Sequence, residues 1–371
     1  MKKIKVLQIG KYYYPCRGGF ESSLYTLVNE LKDEFDFQVL AAHTRFKTAI
    51  ERTRDLTVIR LGNWGRIFSQ PITPSLFFWF KKLSADIVHL HLPNPLAMFF
   101  YLVALPKGKL IVSYHNDIVR QRTIMFFLGP LVIKILKKAE VIIVTSENLI
   151  HSSRMLRKFR AKCQVIPHGI DINRFKATSE ILDAADNIRR QINQPIVLFV
   201  GRLVYYKGLE YLIKAMREVN AKLIIIGEGP LRRKLSLLAK LRGVSGKIVW
   251  LGDIADDTLA AYYQACDVFV LPSCEKSESF GLVILEAQAC AKCVVSTDLP
   301  TGVTFTNLHQ ETGLVVPPKD SRYLTEAINS LLASKELRDK YGECARKRVE
   351  VEFTKEKMAK EIAKVYELVM L

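Results

Sequence analysis

Two carboxylates, Glu278 and Glu286, stand eight positions apart in the segment Ser273–Glu286 (SCEKSESFGLVILE). The pattern puts Glu278 in a loop and Glu286 about two turns into the helix that follows. On chemistry alone such a pair serves either as general acid and base or as two acceptors for the paired hydroxyls of a sugar or ribose. Between them, Phe280-Gly281-Leu282 sets backbone N–H groups at a helix N-terminus, where a diphosphate is stabilised. A second loop, Gly201-Arg202-Leu203-Val204-Tyr205-Tyr206-Lys207-Gly208, carries two cations. Arg202 offers a fork of donors to phosphate oxygens and Lys207 a point charge. A third loop, Gly10–Glu21, has adjacent glycines, Gly18 and Gly19, just before a helix. They permit close backbone approach to a phosphate, or simply a tight turn. The loop is neither G-x-G-x-x-G nor a P-loop.

All three loops must be held at strand ends. Lys5–Ile9, Phe37–Ala41, Asp86–Leu90, Leu110–Ser113 and Val141–Thr145 read as strands separated by helix-length pieces. The rhythm restarts with Pro195–Val200, Lys222–Ile226, Lys247–Leu251, Val268–Leu271 and Cys293–Ser296. Strands alternating with helices argue for parallel sheets covered on both faces. Two such runs predict an α/β chain of two doubly wound, Rossmann-like domains facing a cleft, with ligands at the carboxyl ends of the strands. The expected division is 1–172 and 173–354, within the polar stretch Asn173–Asn193, with a terminal helix over 355–371. A length of 371 residues suits two domains.

Composition narrows the class. Hydrophobic residues are 49% and charged residues 25%, a globular mix. Seven scattered cysteines, an odd number, fit a reducing compartment. The pair Cys290/Cys293 lacks the partner pair that a zinc site requires. The N-terminus reads as a first strand, not a signal peptide, and no run reaches the ~18–20 apolar residues of a membrane span. The net charge of +18 is unevenly placed. Residues 1–170 hold 26 Lys/Arg against 11 Asp/Glu, and the remainder 29 against 26. The first half is thus expected to face an anionic partner. Arg120–Lys138, basic at both ends of an apolar middle, with Arg154, Arg157, Lys158, Arg160 and Lys162 nearby, points to an anionic membrane surface. A nucleic-acid partner is not expected, because no groove-reading element is recognisable.

The segment S-E-S-F-G-L-V-I-L-E-A-Q-A-C-A resembles the E-x7-E signature of family-four retaining glycosyltransferases, which have the GT-B fold. Further landmarks match in order along essentially the whole chain. They are Arg17-Gly18-Gly19-Phe20-Glu21, Ser113-Tyr114-His115-Asn116-Asp117, Ile166–Asp171 (IPHGID), G-R-L-x-x-x-K-G, Gly227-Glu228-Gly229-Pro230 and Glu311–Pro318. The resemblance implies a role for each matching position. The Gly18/Gly19 backbone lies near the diphosphate, and Arg202 and Lys207 neutralise it as the nucleotide departs. Glu286 binds the ribose and Glu278 the transferred sugar. Phe280, Gly281 and Leu282 give backbone contacts, and Leu251–Ile254 lies beside the base, with Ile254 at its end. His115 contacts the sugar at the anomeric centre. The terminal helix crosses back onto the first domain. Tyr12 is the acceptor-binding candidate. His89 and His91, at the end of one strand, are expected to face one the core and one the cleft mouth, and neither is assigned a role.

Two positions depart from the family pattern: Ser279 stands where Gly or Ala is usual, and Ala291 where Gly is usual. The Gly-rich turn after Asp298 is replaced by Leu299-Pro300-Thr301-Gly302-Val303, which resembles bacterial surface-polysaccharide transferases, many of them mannosyltransferases. No D-x-D triplet occurs, so no metal or other cofactor is expected. No carboxylate is placed as a covalent nucleophile, so front-face substitution with retention is expected. The expected activity is a hexosyltransferase using GDP-mannose and a lipid-diphosphate-linked saccharide, cytoplasmic and peripheral on the inner face of the plasma membrane. A UDP-sugar enzyme with a different or soluble acceptor is the alternative, ahead of a non-enzymatic basic module.

Overall fold

The computed structural model describes residues 3–16, 18–67, 70–117 and 122–371, with side chains at all of these but 122–127, 256 and 257. Arg17, at the head of the R-G-G-F-E loop, and Arg120 lie outside the described residues. The chain divides into two units, Met1–Gly169 with Lys355–Leu371, and Ile170–Thr354.

The strands of the first unit are β1 (Lys5–Ile9), β2 (Asp36–Ala42), β3 (Ala49–Arg52), β4 (Leu56–Leu61), β5 (Arg66–Ile67), β6 (Gln70–Pro71), β7 (Ile87–Leu92), β8 (Lys109–Tyr114), β9 (Val141–Val144) and β10 (Cys163–Val165). Eight of them form one sheet, ordered β10-β9-β8-β7-β1-β2-β4-β3, and β5 and β6 form a small ribbon. Pairing within the large sheet is parallel except for β3 with β4. The order reverses between β1 and β7, which opens a crevice beyond their carboxyl ends.

Strand parity sorts the core. Leu7, Leu40, Val88, Leu90, Val112 and Ile142 pack on one face. Val6, Val39, Ile87, Ile111 and Ile143 pack on the other, beneath the helices Gly19–Leu31 and Lys355–Met370. With side chains alternating along each strand, Gln8, His89, His91 and Ser113 continue that second face toward the carboxyl ends. The face is therefore apolar at one end and polar at the other. The terminal helix seals it with Met358, Ile362, Tyr366 and Val369, which makes it part of the first unit.

The second unit has β11 (Ile196–Val200), β12 (Lys222–Ile226), β13 (Ile248–Gly252), β14 (Val268–Leu271), β15 (Val294–Thr297) and β16 (Gly313–Val316). The sheet is parallel and ordered β13-β12-β11-β14-β15-β16, so it reverses between β11 and β14. β11 reads IVLFV and is buried throughout, as a strand covered on both faces must be.

The polar stretch read as a boundary is structured. Residues Ser179–Ile192 form a helix, opened by the Thr178 hydroxyl accepting from the Ile181 N–H and closed by Asn193 in the left-handed region. Ile181, Ala185, Ile188 and Ile192 lie on one stripe against the core. The apolar positions recur at helical spacing in the sequence itself, so the helix carries a readable period that the boundary reading passed over. The unit begins a few residues earlier, where the Ile170 N–H donates to the Phe353 carbonyl at 2.8 Å and Ile170 bridges to Thr354.

Candidate functional site

The loops leaving β11 and β14 rise side by side at the reversal point of the second sheet, since Val197 pairs with Val268. Lys207 ends a short 3-10 turn, Tyr205–Lys207, and is buried. Its ammonium lies 2.7 Å from Glu278 Oε2. The same oxygen accepts from the Ser273 hydroxyl at 2.8 Å. Ser273 is itself fixed through its carbonyl, which accepts from the Thr297 hydroxyl. Glu278 and Lys207, separate motifs in the sequence, are thus one buried ion pair. Removing either partner strands a charge away from water. Arg202 differs: it is exposed and makes no ion pair among the described residues.

Glu286 is half-buried on the helix Leu282–Ala289, and its Oε2 accepts from the Tyr263 hydroxyl at 2.7 Å. Tyr263 is fully buried. Burial first, and the neighbouring Glu286 carboxylate next, hold its phenol well above the ordinary value, so it stays a donor. Sequence reasoning missed Tyr263 and Thr297, because neither belongs to a motif and each acts across the fold, and it gave no role to Ser273 although that residue opens the Glu-bearing segment. The Phe280 ring is buried against Phe305 and Phe353, which leaves only its backbone for a ligand. Gly281 turns with φ 80° into a helix that no side chain caps. Ile254 follows β13 and is half-buried on the core.

Ala291 and the variant turn after Asp298 also find their places. Ala291 has φ 53°, a left-handed conformation in which glycine is strain-free. The turn Leu299–Val303 packs under the Glu-bearing loop, with the Gly302 N–H on the Ser279 carbonyl at 2.7 Å. A Cβ at Gly302 would meet Phe280 Cδ2 at 2.5 Å.

In the first unit, Gly18 and Gly19 are exposed and open the helix Gly19–Leu31. His115 follows β8, is buried, and has the Phe20 ring 4.5 Å away. It belongs to a stack. His89–His91, His91–His115 and His115–His168 ring centroids are 4.5, 5.4 and 5.5 Å apart. The expectation that His89 and His91 face opposite ways is corrected: residues two apart share a strand face. His89 is buried and His91 half-buried, and both are linked into one hydrogen-bond network with Gln8 and Tyr366. Burial lowers His89 to about 3 and His168 to about 4. Burial, then the neighbouring histidines, hold His91 and His115 well below the ordinary imidazole value. All four are therefore neutral at pH 7. A cavity of about 20 Å³ lies beside this group, lined by Ser113, His115, Thr145 and His168 together with apolar side chains such as Leu27 and Ile143.

Tyr12 is half-buried, and its hydroxyl is buried without a hydrogen-bond partner among the described residues. The Arg66 guanidinium lies 5.5 Å over its ring. The exposed ring of the loop is Tyr14, which stacks on Tyr25 at 4.7 Å. Cys290 and Cys293 are free thiols inside the second core. Among the described residues no group of three or more His, Cys, Asp or Glu converges as metal ligands.

The motifs have counterparts in known proteins. A family model described as Glycosyltransferase Family 4 matches residues 17–174, and one described as Glycosyl transferases group 1 matches residues 183–348. The chain is 32% identical over 367 residues to an O-antigen chain mannosyltransferase of Escherichia coli, covering 98% of each. It is 32% identical over 284 residues to a D-rhamnosyltransferase of Pseudomonas aeruginosa, covering 76% of this chain and 73% of the relative. Sucrose-phosphate synthase from Thermosynechococcus elongatus has the same fold, with a TM-score of 0.84 at 25% identity over 99% of both chains. The fold class is GT-B, and the protein belongs to the family-four glycosyltransferases.

Proposed function

We propose that this glycosyltransferase moves a hexose, mannose from GDP-mannose, onto a lipid-diphosphate-linked saccharide in the synthesis of a cell-surface polysaccharide. The observation that carries the reading is the buried pair of Lys207, on the loop after β11, with Glu278, on the loop after β14, beside the helix that bears Glu286. It supplies a cation for a diphosphate and carboxylates for hydroxyls, at a reversal point where doubly wound sheets bind ligands. The end-to-end likeness to an O-antigen chain mannosyltransferase favours mannose and a polysaccharide product.

In this reading Glu286, oriented by Tyr263, holds the ribose hydroxyls, and the backbone at Ile254 lies beside the base. Glu278 holds hydroxyls of the sugar, and neutral His115 contacts it near the anomeric carbon. Lys207, Arg202 and the helix starts at Gly281–Leu282 and Gly18–Gly19 take up the diphosphate charge, so no metal is required. The bond from the anomeric carbon to the diphosphate oxygen breaks as the acceptor oxygen bonds on the same face. The acceptor proton passes to a leaving-group oxygen, and configuration is retained. Tyr12 is assigned to the acceptor.

An acceptor in a membrane calls for a docking face. Among the described residues no helix is long and apolar enough to cross a membrane, and the enzyme is read as peripheral on the cytoplasmic leaflet. The expected surface lay on Arg120–Lys138. The described part of its helix buries Val132, Ile135 and Leu136. Within the nearby basic cluster, Arg160 pairs with Glu147 at 2.6 Å, and Lys162 donates to the Lys137 and Ala139 carbonyls. A better surface is the packed pair of helices Leu76–Lys82 and Pro95–Ala104. It exposes Phe78, Phe99, Val103 and Leu105, with Lys81 over Phe77 at 4.8 Å and Lys82 over Trp79 at 5.0 Å. Apolar rings beside lysines suit an anionic leaflet.

The test is transfer of labelled sugar from GDP-mannose, UDP-sugars and ADP-sugars in the presence of native membranes. Label from GDP-mannose is expected in the organic-extractable fraction. Transfer from UDP-sugars alone would sink the donor assignment, and label confined to soluble saccharide would sink the lipid acceptor.

A further inference from the structure

The buried histidines do more than fill space, because their hydrogen bonds have a direction. Gln8 Nε2 lies 2.7 Å from the Tyr366 oxygen, and Gln8 Oε1 lies 2.9 Å from His91 Nε2. His91 Nδ1 lies 3.1 Å from His115 Nε2. On a second arm, the Tyr366 oxygen lies 2.7 Å from His89 Nδ1, and His89 Nε2 lies 2.8 Å from Ser113 Oγ. An amide NH2 only donates, an amide oxygen only accepts, and a neutral imidazole does one of each.

The amide of Gln8 therefore dictates every proton in the network. With its NH2 on Tyr366, its oxygen accepts from His91, so His91 carries its proton on Nε2. His91 Nδ1 then accepts, and His115 carries its proton on Nε2. The Tyr366 hydroxyl donates to His89, which donates to Ser113. Turning the amide over reverses all of these at once and moves the His115 proton to Nδ1. That nitrogen is buried and has no hydrogen-bond partner among the described residues. A buried N–H without an acceptor is rarer than an acceptor with an unused lone pair. The first arrangement is therefore the native one. A protonated imidazole would also break it, since His91⁺ would aim an N–H at the N–H of His115; burial keeps the rings neutral.

We propose that Tyr366, Gln8 and His91 are positioning residues that hold His115 as its Nε2–H tautomer in a fixed ring orientation, so that the C-terminal helix reaches the reaction through a hydrogen-bond relay. The inference rests on the reading of His115 as a group that contacts the transferred sugar. The relay spans the first strand and the last helix of the first unit. Its key hydroxyl can be removed cleanly, because Tyr366→Phe keeps the edge-on ring contacts to Phe35 and His89 at 5.3 and 5.7 Å.

The test combines spectroscopy and kinetics on the full chain. With ¹⁵N-labelled histidine, long-range proton–nitrogen spectra at neutral pH are expected to show His91 and His115 as fixed Nε2–H tautomers. In Tyr366→Phe and Gln8→Leu, His115 is expected to become a mixture. Turnover in both variants is expected to fall by about tenfold to a hundredfold, as when a reacting group is misplaced, with the donor KM within about twofold. Tyr366→Phe added to His115→Ala is expected to cost nothing further, because the two act through one ring. An Nδ1–H or averaged His115 in the wild type would overturn the assignment. A wild-type tautomer and turnover in Tyr366→Phe, while His115→Ala is inactive, would overturn the relay alone. Full turnover in His115→Ala would instead overturn the reading of His115, and with it the relay's part in the reaction.

Discussion

Replacing Lys207 by alanine is expected to lower turnover by about 10²–10³-fold, the usual effect of deleting a pre-oriented group that meets developing charge. The side chain is buried and held by Glu278 at 2.7 Å, so the cation is in place before a diphosphate arrives. Arg202 cannot replace it, because Arg202 is exposed and lacks a comparable anchor. The same substitution strands the Glu278 carboxylate, which costs about 3–5 kcal/mol when a buried pair loses one member. The two effects separate in the double variant Lys207→Ala/Glu278→Gln. A neutral amide needs no counter-charge, so the double variant is expected to recover most of the stability and none of the turnover. Steady-state kinetics and urea unfolding of both variants check this. Turnover within about tenfold of wild type in Lys207→Ala would remove Lys207 from the charge-stabilising role.

Gly208→Ala is expected to destabilise the protein by about 3 kcal/mol or more, well above an ordinary surface change. Gly208 has φ 65°, and a Cβ there would lie 1.9 Å from the Pro272 carbonyl oxygen. Strain from the left-handed backbone is then the smaller part. The larger part is that the loop after β11 must move off the loop after β14. The Cys274 N–H also ties these loops, donating to the Tyr206 carbonyl at 2.7 Å. Forcing them apart separates Lys207 from Glu278, so activity should fall even at temperatures where the variant is folded. A shift in unfolding free energy below about 1 kcal/mol would show that the close approach is not needed.

Most of the second unit was legible because its motif residues lie in loops directly after strongly apolar strands. The restart of the α/β rhythm at Pro195 and the E-x7-E spacing placed Lys207, Glu278 and Glu286 at strand ends of one sheet without any contact information. Edges were less legible. β10, with three residues, is too short to show a period, and β3 exposes most of its length. The helix Ser179–Ile192 could have been read, because Ile181, Ala185, Ile188 and Ile192 recur at helical spacing within a polar segment. The partners of the site residues were beyond reach for a different reason. Tyr263 meets Glu286 from a neighbouring helix, and Tyr366 meets Gln8 across 358 positions. Neither position carries a local pattern. His89 and His91 could have been placed correctly, because period-two alternation already puts them on one face.

In the proposed reaction, sugar is transferred with retention from a nucleotide-sugar, driven by the protein's own cations. The most direct measurement is the anomeric configuration of the product formed from GDP-α-mannose in the presence of EDTA, read from the one-bond carbon–hydrogen coupling at the new linkage. The account predicts an α-linked mannose at an undiminished rate. A β-linked product, or loss of transfer on chelation, would contradict it.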